Sequence, residues 1–373
     1  MRIDITLRSL GALLLGLGMS VQYCYSQSGQ SDTAQAELLV KKATEYNIQI
    51  EYDSSIVCLQ KAAKIFLEAQ LWERYVHCLN IEADCLSRIP AIDSMETVLL
   101  KSRDLEKTKL EPDNLECALT YSLIGLVYIY REDLDAAIKN IMDGKIIREK
   151  ILGSNHKFVA ESNYLLGFTY LRKGDFDKAL VSFNESLNVY SAINDDDHFN
   201  LCLTLIGIGY ASFLRSDFDV ALAQFLKAYS LVDNGDKKYL SIAADCHMYL
   251  AMTYSEKGDN KQANSHAIEA VNLYRKLFGE DNLFLAGCYS TLGNMSEAEG
   301  DLDKSIEYYQ KAVSLERKYV GDKHSFVALD TRRLGMACAN KNDLDKALQY
   351  SKKALTIHRK VVGNKHPELA YTY

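Results

Sequence analysis

One small residue returns every 42 positions along this chain: Ala83, Gly125, Gly167, Gly209, Ala251, Gly293 and Gly335. Two further positions travel with it, 12 and 19 residues on: Met95, Ala137, Ala179, Ala221, Ala263, Ser305 and Ala347, then Ser102, Gly144, Ser186, Ala228, Ala270, Ala312 and Ala354. Of these 21 positions 20 hold Gly, Ala or Ser, types that fill only 82 of the 373 positions in the chain, so composition does not produce the recurrence. Length alone would allow two or three globular domains. A period sustained this far instead demands one elongated array of like units.

Small residues at fixed phase mean two helices crossing so closely that a larger side chain would force their backbones apart. Large apolar residues stand directly before each marker, at Ile124, Leu166, Ile208, Leu250, Leu292 and Leu334, to fill the space alongside. Twelve-residue offsets leave room for a turn, and the turn is written as Gly174-Asp175, Gly258-Asp259 and Gly300-Asp301, with Glu132-Asp133, Ser216-Asp217 and Asn342-Asp343 in the same slot. The first residue suits a left-handed helix end, and the Asp caps the next helix. The sequence therefore predicts an all-α, right-handed superhelical solenoid of helix-turn-helix repeats. The three prolines, Pro90, Pro112 and Pro367, all fall between predicted helices.

Leu166-Gly167-x-x-Tyr170, Gly174-Asp175-Phe176, Ala179-Leu180 and the closing Ser186 resemble the signature of the tetratricopeptide repeat family. The period is longer than the usual ~34 residues of that family. With Gly153, His156, Val159 and Ala160, then Gly321, His324, Val327 and Ala328, then Gly363, His366, Leu369 and Ala370 between units, it is similar to the kinesin-light-chain-type subclass. The resemblance covers roughly residues 40–373. It implies a general binding scaffold, and in bacteria such arrays often precede CHAT-type caspase-like protease domains or signalling modules; it does not name a partner.

Residues 1–26 read as a secretory signal peptide, with Arg2 and Arg8 before an apolar run from Leu10 to Val21 and small residues at Cys24 and Ser26. That run is well short of the ~20 residues that span a bilayer. A lipid anchor on Cys24 is the rival reading, opposed by the bulky Tyr23 before it. Residues 27–32 are a polar linker, 33–70 an atypical helical pair that caps the array, 71–366 seven repeats, and 367–373 the start of a truncated eighth. The expected location is the periplasm or cell envelope. The net charge of −7 is a poor match for a phosphate backbone, so nucleic acid is not an expected partner.

No nucleophile motif, phosphate loop or metal spacing emerges, and the chain is read as non-catalytic and without cofactor or metal. His156, His198, His324 and His366 share one slot with Asn114 and Asn282. Equivalent positions on stacked helices lie roughly 8–10 Å apart, too far to close on one ion. A hydrogen-bonding role at a helix start fits both residue types. Cys58, Cys78, Cys85, Cys117, Cys202, Cys246, Cys288 and Cys338 are spread by the same phasing along the array and are expected as buried free thiols.

The candidate site is the face that the first helices turn to the concave side. Three successive repeats place Leu126, Ile129 and Tyr130; Tyr164, Phe168 and Leu171; Ile206, Tyr210, Phe213 and Leu214 there, and the equivalent positions turn polar toward the C-terminus. Two accounts stand: a partner protein or peptide lies in this groove, or the curvature of the array or its cap fills it from within. The expected function is a non-catalytic, exported protein-interaction scaffold. The alternative is a sensing arm for a CHAT-like protease or a kinase domain beyond Tyr373, and end-to-end self-association is a third possibility.

Overall fold

A computed structural model describes residues 31–49, 51–89, 91–193, 198–232, 239–322 and 324–362. The predicted signal peptide, most of the linker, the 367–373 segment, Cys24 and His366 lie outside them. The described residues form helices and connections only, in two compact units that divide at Asp196–Asp197. The first holds α1 (Ser31–Ile48), α2 (Tyr52–Glu68), α3 (Trp72–Arg88), α4 (Ile92–Lys109), α5 (Leu115–Tyr130), α6 (Leu134–Leu152), α7 (Lys157–Lys173) and α8 (Phe176–Ala192). The second holds α9 (Phe199–Leu214), α10 (Phe218–Val232), α11 (Leu240–Glu256), α12 (Asn260–Phe278), α13 (Phe284–Ala298), α14 (Leu302–Val320), α15 (Ser325–Asn340) and α16 (Leu344–Val362). This is an all-α helical repeat fold.

In both units a glycine at the periodic position sits on the first helix of a pair against a bulky residue 16 positions later on the second, except Gly335, which faces Ser351. A Cβ added to Gly167 would lie 2.7 Å from the Phe183 ring. The same construction gives 2.6 Å between Gly125 and Ile141, 2.6 Å between Gly209 and Phe225, and 2.7 Å between Gly293 and Tyr309. All four large partners are fully buried, as are Ala137, Ala179, Ala221 and Ala263 in the second periodic position. In these four helix pairs a ring or branched chain is thus pressed onto bare backbone.

The turn follows from two local hydrogen-bond patterns. Gly174 takes φ 84° and ψ 9°, and the Asp175 amide reaches back to the Tyr170 carbonyl at 2.9 Å, closing α7. The Asp175 carboxylate then accepts from the Lys178 amide at 3.3 Å and opens α8. Asp133, Asp259 and Asp301 repeat that cap. Where the turn lacks Gly, the same left-handed conformation is imposed on Glu132, Ser216 and Asn342, at φ 62°, 65° and 66°.

First helices open on the predicted His/Asn slot. His156 and His324 accept through Nδ1 from the Phe158 and Phe326 amides at 3.2 and 3.3 Å, and Asn114 and Asn282 accept through Oδ1 from Glu116 and Leu285 at 2.7 and 3.2 Å. His198 occupies the N-cap position without a side-chain cap bond. The eight cysteines among the described residues are buried thiols that form no disulfide with one another. Burial pushes the Cys78 thiol up to about 12 and that of Cys85 to about 11, so both are held as unreactive thiols.

Candidate protein-interaction face

On the first-helix face of the first unit, Leu126, Ile129, Tyr164, Phe168 and Leu171 are buried, and Tyr130 is half-buried. Tyr164 sets its ring edge-on to Phe183 at 5.5 Å, the same ring that covers Gly167. The Tyr130 hydroxyl donates to the Ser87 carbonyl at 3.4 Å. Arg172 donates to the Ile129 carbonyl at 3.2 Å and pairs with Glu132. These side chains tie consecutive first helices together.

In the second unit, Ile206 and Tyr210 are buried while Phe213 and Leu214 are half-buried. Tyr210 packs on Tyr249 at 5.2 Å and stacks with Phe213 at 6.3 Å, and Phe213 meets Phe218 at 5.6 Å. Seven of the ten predicted groove residues are therefore packed away from solvent in this structure. The physical reason is that a helix apolar on both sides buries both sides when another helix is within reach.

The open part of the first-helix face lies further on, at α13 and α15. Met336 is 49% exposed, although its counterparts Phe168, Tyr210 and Met252 are buried. Its sulfur sits 3.1 Å from Arg332 Nη1. Beside it the Glu297 carboxylate accepts from Asn340 Nδ2 at 2.8 Å and from the Tyr309 hydroxyl at 3.1 Å, and Tyr309 also reaches Asn294 Oδ1 at 2.7 Å. Asn294, Glu297, Arg332 and Asn340 thus form a fixed polar rim around one exposed apolar side chain. The arrangement puts a fixed array of donors and acceptors next to an adaptable thioether. The 42-residue phase puts Asn294, Glu297, Arg332 and Asn340 in the slots of Phe168, Leu171, Tyr164 and Leu214. The missed signal was their polarity, since a face that stays wet must carry groups that water can satisfy.

In the first unit, buried polar networks run between consecutive repeats. His77 Nδ1 lies 2.8 Å from Glu116 Oε1, and Asn80 donates to Glu116 Oε2 at 3.0 Å. Burial alone would raise the Glu116 carboxyl, but His77 and Asn80 outweigh it and hold it below the ordinary range. Glu106 goes the other way: burial raises it to about 7, against the lowering pull of Thr120 and Ser102. Glu161 is likewise raised by burial to about 7 beside Arg148. Each of these carboxyls faces helix packing and not a cleft, and among the described residues no three metal-binding side chains converge. No described helix is long and apolar enough to cross a membrane.

Comparison with known proteins places this architecture. No curated protein matches the chain. Among solved structures, the apo form of RapI is similar at 13% identity with a TM-score of 0.62, over 87% of this chain and 98% of that one. A signal transduction ATPase with a tetratricopeptide repeat sensor from Pyrococcus horikoshii gives 14% identity and 0.59, over 89% of this chain and 53% of that one. A tetratricopeptide repeat protein from Parabacteroides merdae gives 13% and 0.52, over 82% and 99%. At these identities the likeness is one of fold. The sequence model described as "Tetratricopeptide repeat" matches residues 116–192, 158–234, 243–318 and 284–360, well over half of the chain. The chain is a member of the tetratricopeptide repeat family.

Proposed function

We propose that this chain is a non-catalytic scaffold that binds a segment of a partner protein along the first-helix face of α13 and α15. The carrying observation is the exposed Met336 within the rim of Asn294, Glu297, Arg332 and Asn340. The partner segment lies along the face and exchanges hydrogen bonds with Asn340 and Glu297, while an apolar side chain covers Met336. A photo-crosslinking residue placed at Met336 captures the partner, whereas the same residue at Phe168 captures nothing. Adducts from Phe168, or from neither position, overturn the assignment.

We place this binding outside the cytoplasm, because residues 1–26 carry the basic start, apolar run and small-residue cleavage site of a secretory signal. A mature N-terminus at Gln27 in the secreted or periplasmic fraction is the expected result. A second reading is a sensing arm for a longer protein. It is favoured by the Pyrococcus horikoshii ATPase, which is described as carrying its tetratricopeptide repeats as a sensor and of which this chain covers about half.

A further inference from the structure

A cavity of about 520 Å³ opens among α14, α15 and α16. Arg317 and Val313 of α14, Leu334 of α15, and Tyr350 and Lys353 of α16 line it. One repeat earlier the corresponding side chains gather around the ring of Tyr289: Arg275 Nη2 donates to its hydroxyl at 2.9 Å, Tyr308 stacks on it at 6.0 Å, and the Lys311 ammonium lies 5.6 Å from its centroid.

Shifted by one period of 42 residues, those partners become Arg317, Tyr350 and Lys353, and all three line the cavity. Even the carboxylate that braces the arginine is kept. Arg275 uses Nε for Glu280 and Arg317 uses Nε for Asp322. What changes is the central residue: the counterpart of Tyr289 is Thr331, 1% exposed, whose hydroxyl is buried without a hydrogen-bond partner. The surroundings of a phenol have been retained and the phenol removed.

We propose that this cavity is a docking site for the tyrosine side chain of a partner protein. The phenol stacks on Tyr350, lies under the Lys353 ammonium and accepts a hydrogen bond from the Arg317 guanidinium, reproducing from outside the contacts that Tyr289 makes from within. A tyrosine is preferred over a phenylalanine because the arginine gives the hydroxyl a charged donor. This site shares no lining residue with the Met336 rim and stands or falls without it.

The test is a ligand-observed NMR titration of the purified protein with N-acetyl-tyrosinamide and N-acetyl-phenylalaninamide. The expected result is saturable binding of the tyrosine probe, with the phenylalanine probe roughly tenfold weaker, the size of one charge-assisted hydrogen bond. Thr331→Tyr, which supplies the phenol internally, melts no lower than the parent and loses the tyrosine probe by roughly tenfold or more. Arg317→Gln leaves the cavity open and brings the tyrosine probe down to the level of the phenylalanine probe. Absence of saturable binding to the parent, equal binding to Thr331→Tyr, failure of Thr331→Tyr to fold, or an unchanged preference in Arg317→Gln each overturns the proposal.

Discussion

Replacing Gly167 by Ala changes sign with its neighbour. In an isolated helix the exchange is favourable by about 0.8–1.0 kcal/mol, because Gly has more backbone entropy to lose. In this fold the new methyl meets Phe183 Cδ1 at 2.7 Å, and Phe183 is fully buried. Overpacking of this kind costs about 1–3 kcal/mol, so the net effect is a loss of about 0–2 kcal/mol. Shortening the ring partner by Phe183→Leu removes the planar edge that causes the contact, at a cost below the ~3–5 kcal/mol of a full truncation to Ala. In that background Gly167→Ala becomes neutral or stabilising by up to about 1 kcal/mol, and the double-mutant cycle shows a coupling of about 1–3 kcal/mol. Urea midpoints read by helical circular dichroism on all four proteins measure it, with slopes compared because a repeat array need not unfold in one step. Equal effects of Gly167→Ala in the two backgrounds would refute the close-packing account of the 42-residue recurrence.

Ser216→Gly relieves a non-Gly residue held at φ 65° and stabilises by about 0.5–1 kcal/mol, measured as a raised urea midpoint. Glu106 keeps its proton in the folded protein to about 7 against 4.5 when unfolded, so its contribution is fully present below about 4.5 and is lost as pH rises through 7. Glu106→Gln should flatten that decline, and an unchanged pH profile would contradict the burial of the carboxyl. His156 accepts the Phe158 amide through Nδ1, and burial first, then Lys157 and Arg148, lower its pKa; its folded form therefore resists protonation and stability falls as pH drops below the ordinary histidine value. His156→Asn keeps the cap and removes that loss, whereas His156→Ala costs about 1 kcal/mol at neutral pH in thermal melts.

The repeat was legible because sterics at a single residue repeat with the fold. A close crossing admits Gly, Ala or Ser and nothing larger, so phase, period and helix pairing could all be read from seven markers. Its partner 16 residues on is less regular, since Ile141, Phe183, Phe225 and Tyr309 share only bulk and the same slot holds Ala267 and Ser351. The site was harder. Hydrophobic periodicity says that Tyr164, Phe168 and Tyr210 avoid water, but a groove awaiting a partner and a seam between helices leave the same pattern in the sequence. What separates them is how closely the next repeat approaches, and that depends on its own side chains. Met336 and Phe168 occupy one phase, yet one is half-exposed and the other buried.

The interfaces between repeats show why such regularity does not make the order of repeats interchangeable. An array built on one apolar phase pairs about as well after a slip by a whole period, and something must penalise the slip. In this chain the residue near the end of a second helix meets a residue 14 positions later on the next first helix, and the pair differs each time. Thr120 donates to Glu106; Arg148 donates to Ser162 Oγ at 2.8 Å and to the Phe158 carbonyl at 2.9 Å; Glu316 shares its buried environment with Asp330, so that burial and then the neighbouring charge keep it protonated. Apolar contacts would tolerate an exchange of partners at these slots. A buried Arg148 opposite the Cys288 slot, or Glu316 opposite Ser162 without the Asp330 hydrogen bond, would lose a partner that water cannot replace, at about 1–3 kcal/mol for each polar group and more for a charge. The conserved bulk of each repeat therefore sets the shape of the helix pair, and these buried polar residues, irregular from repeat to repeat, fix which pair follows which.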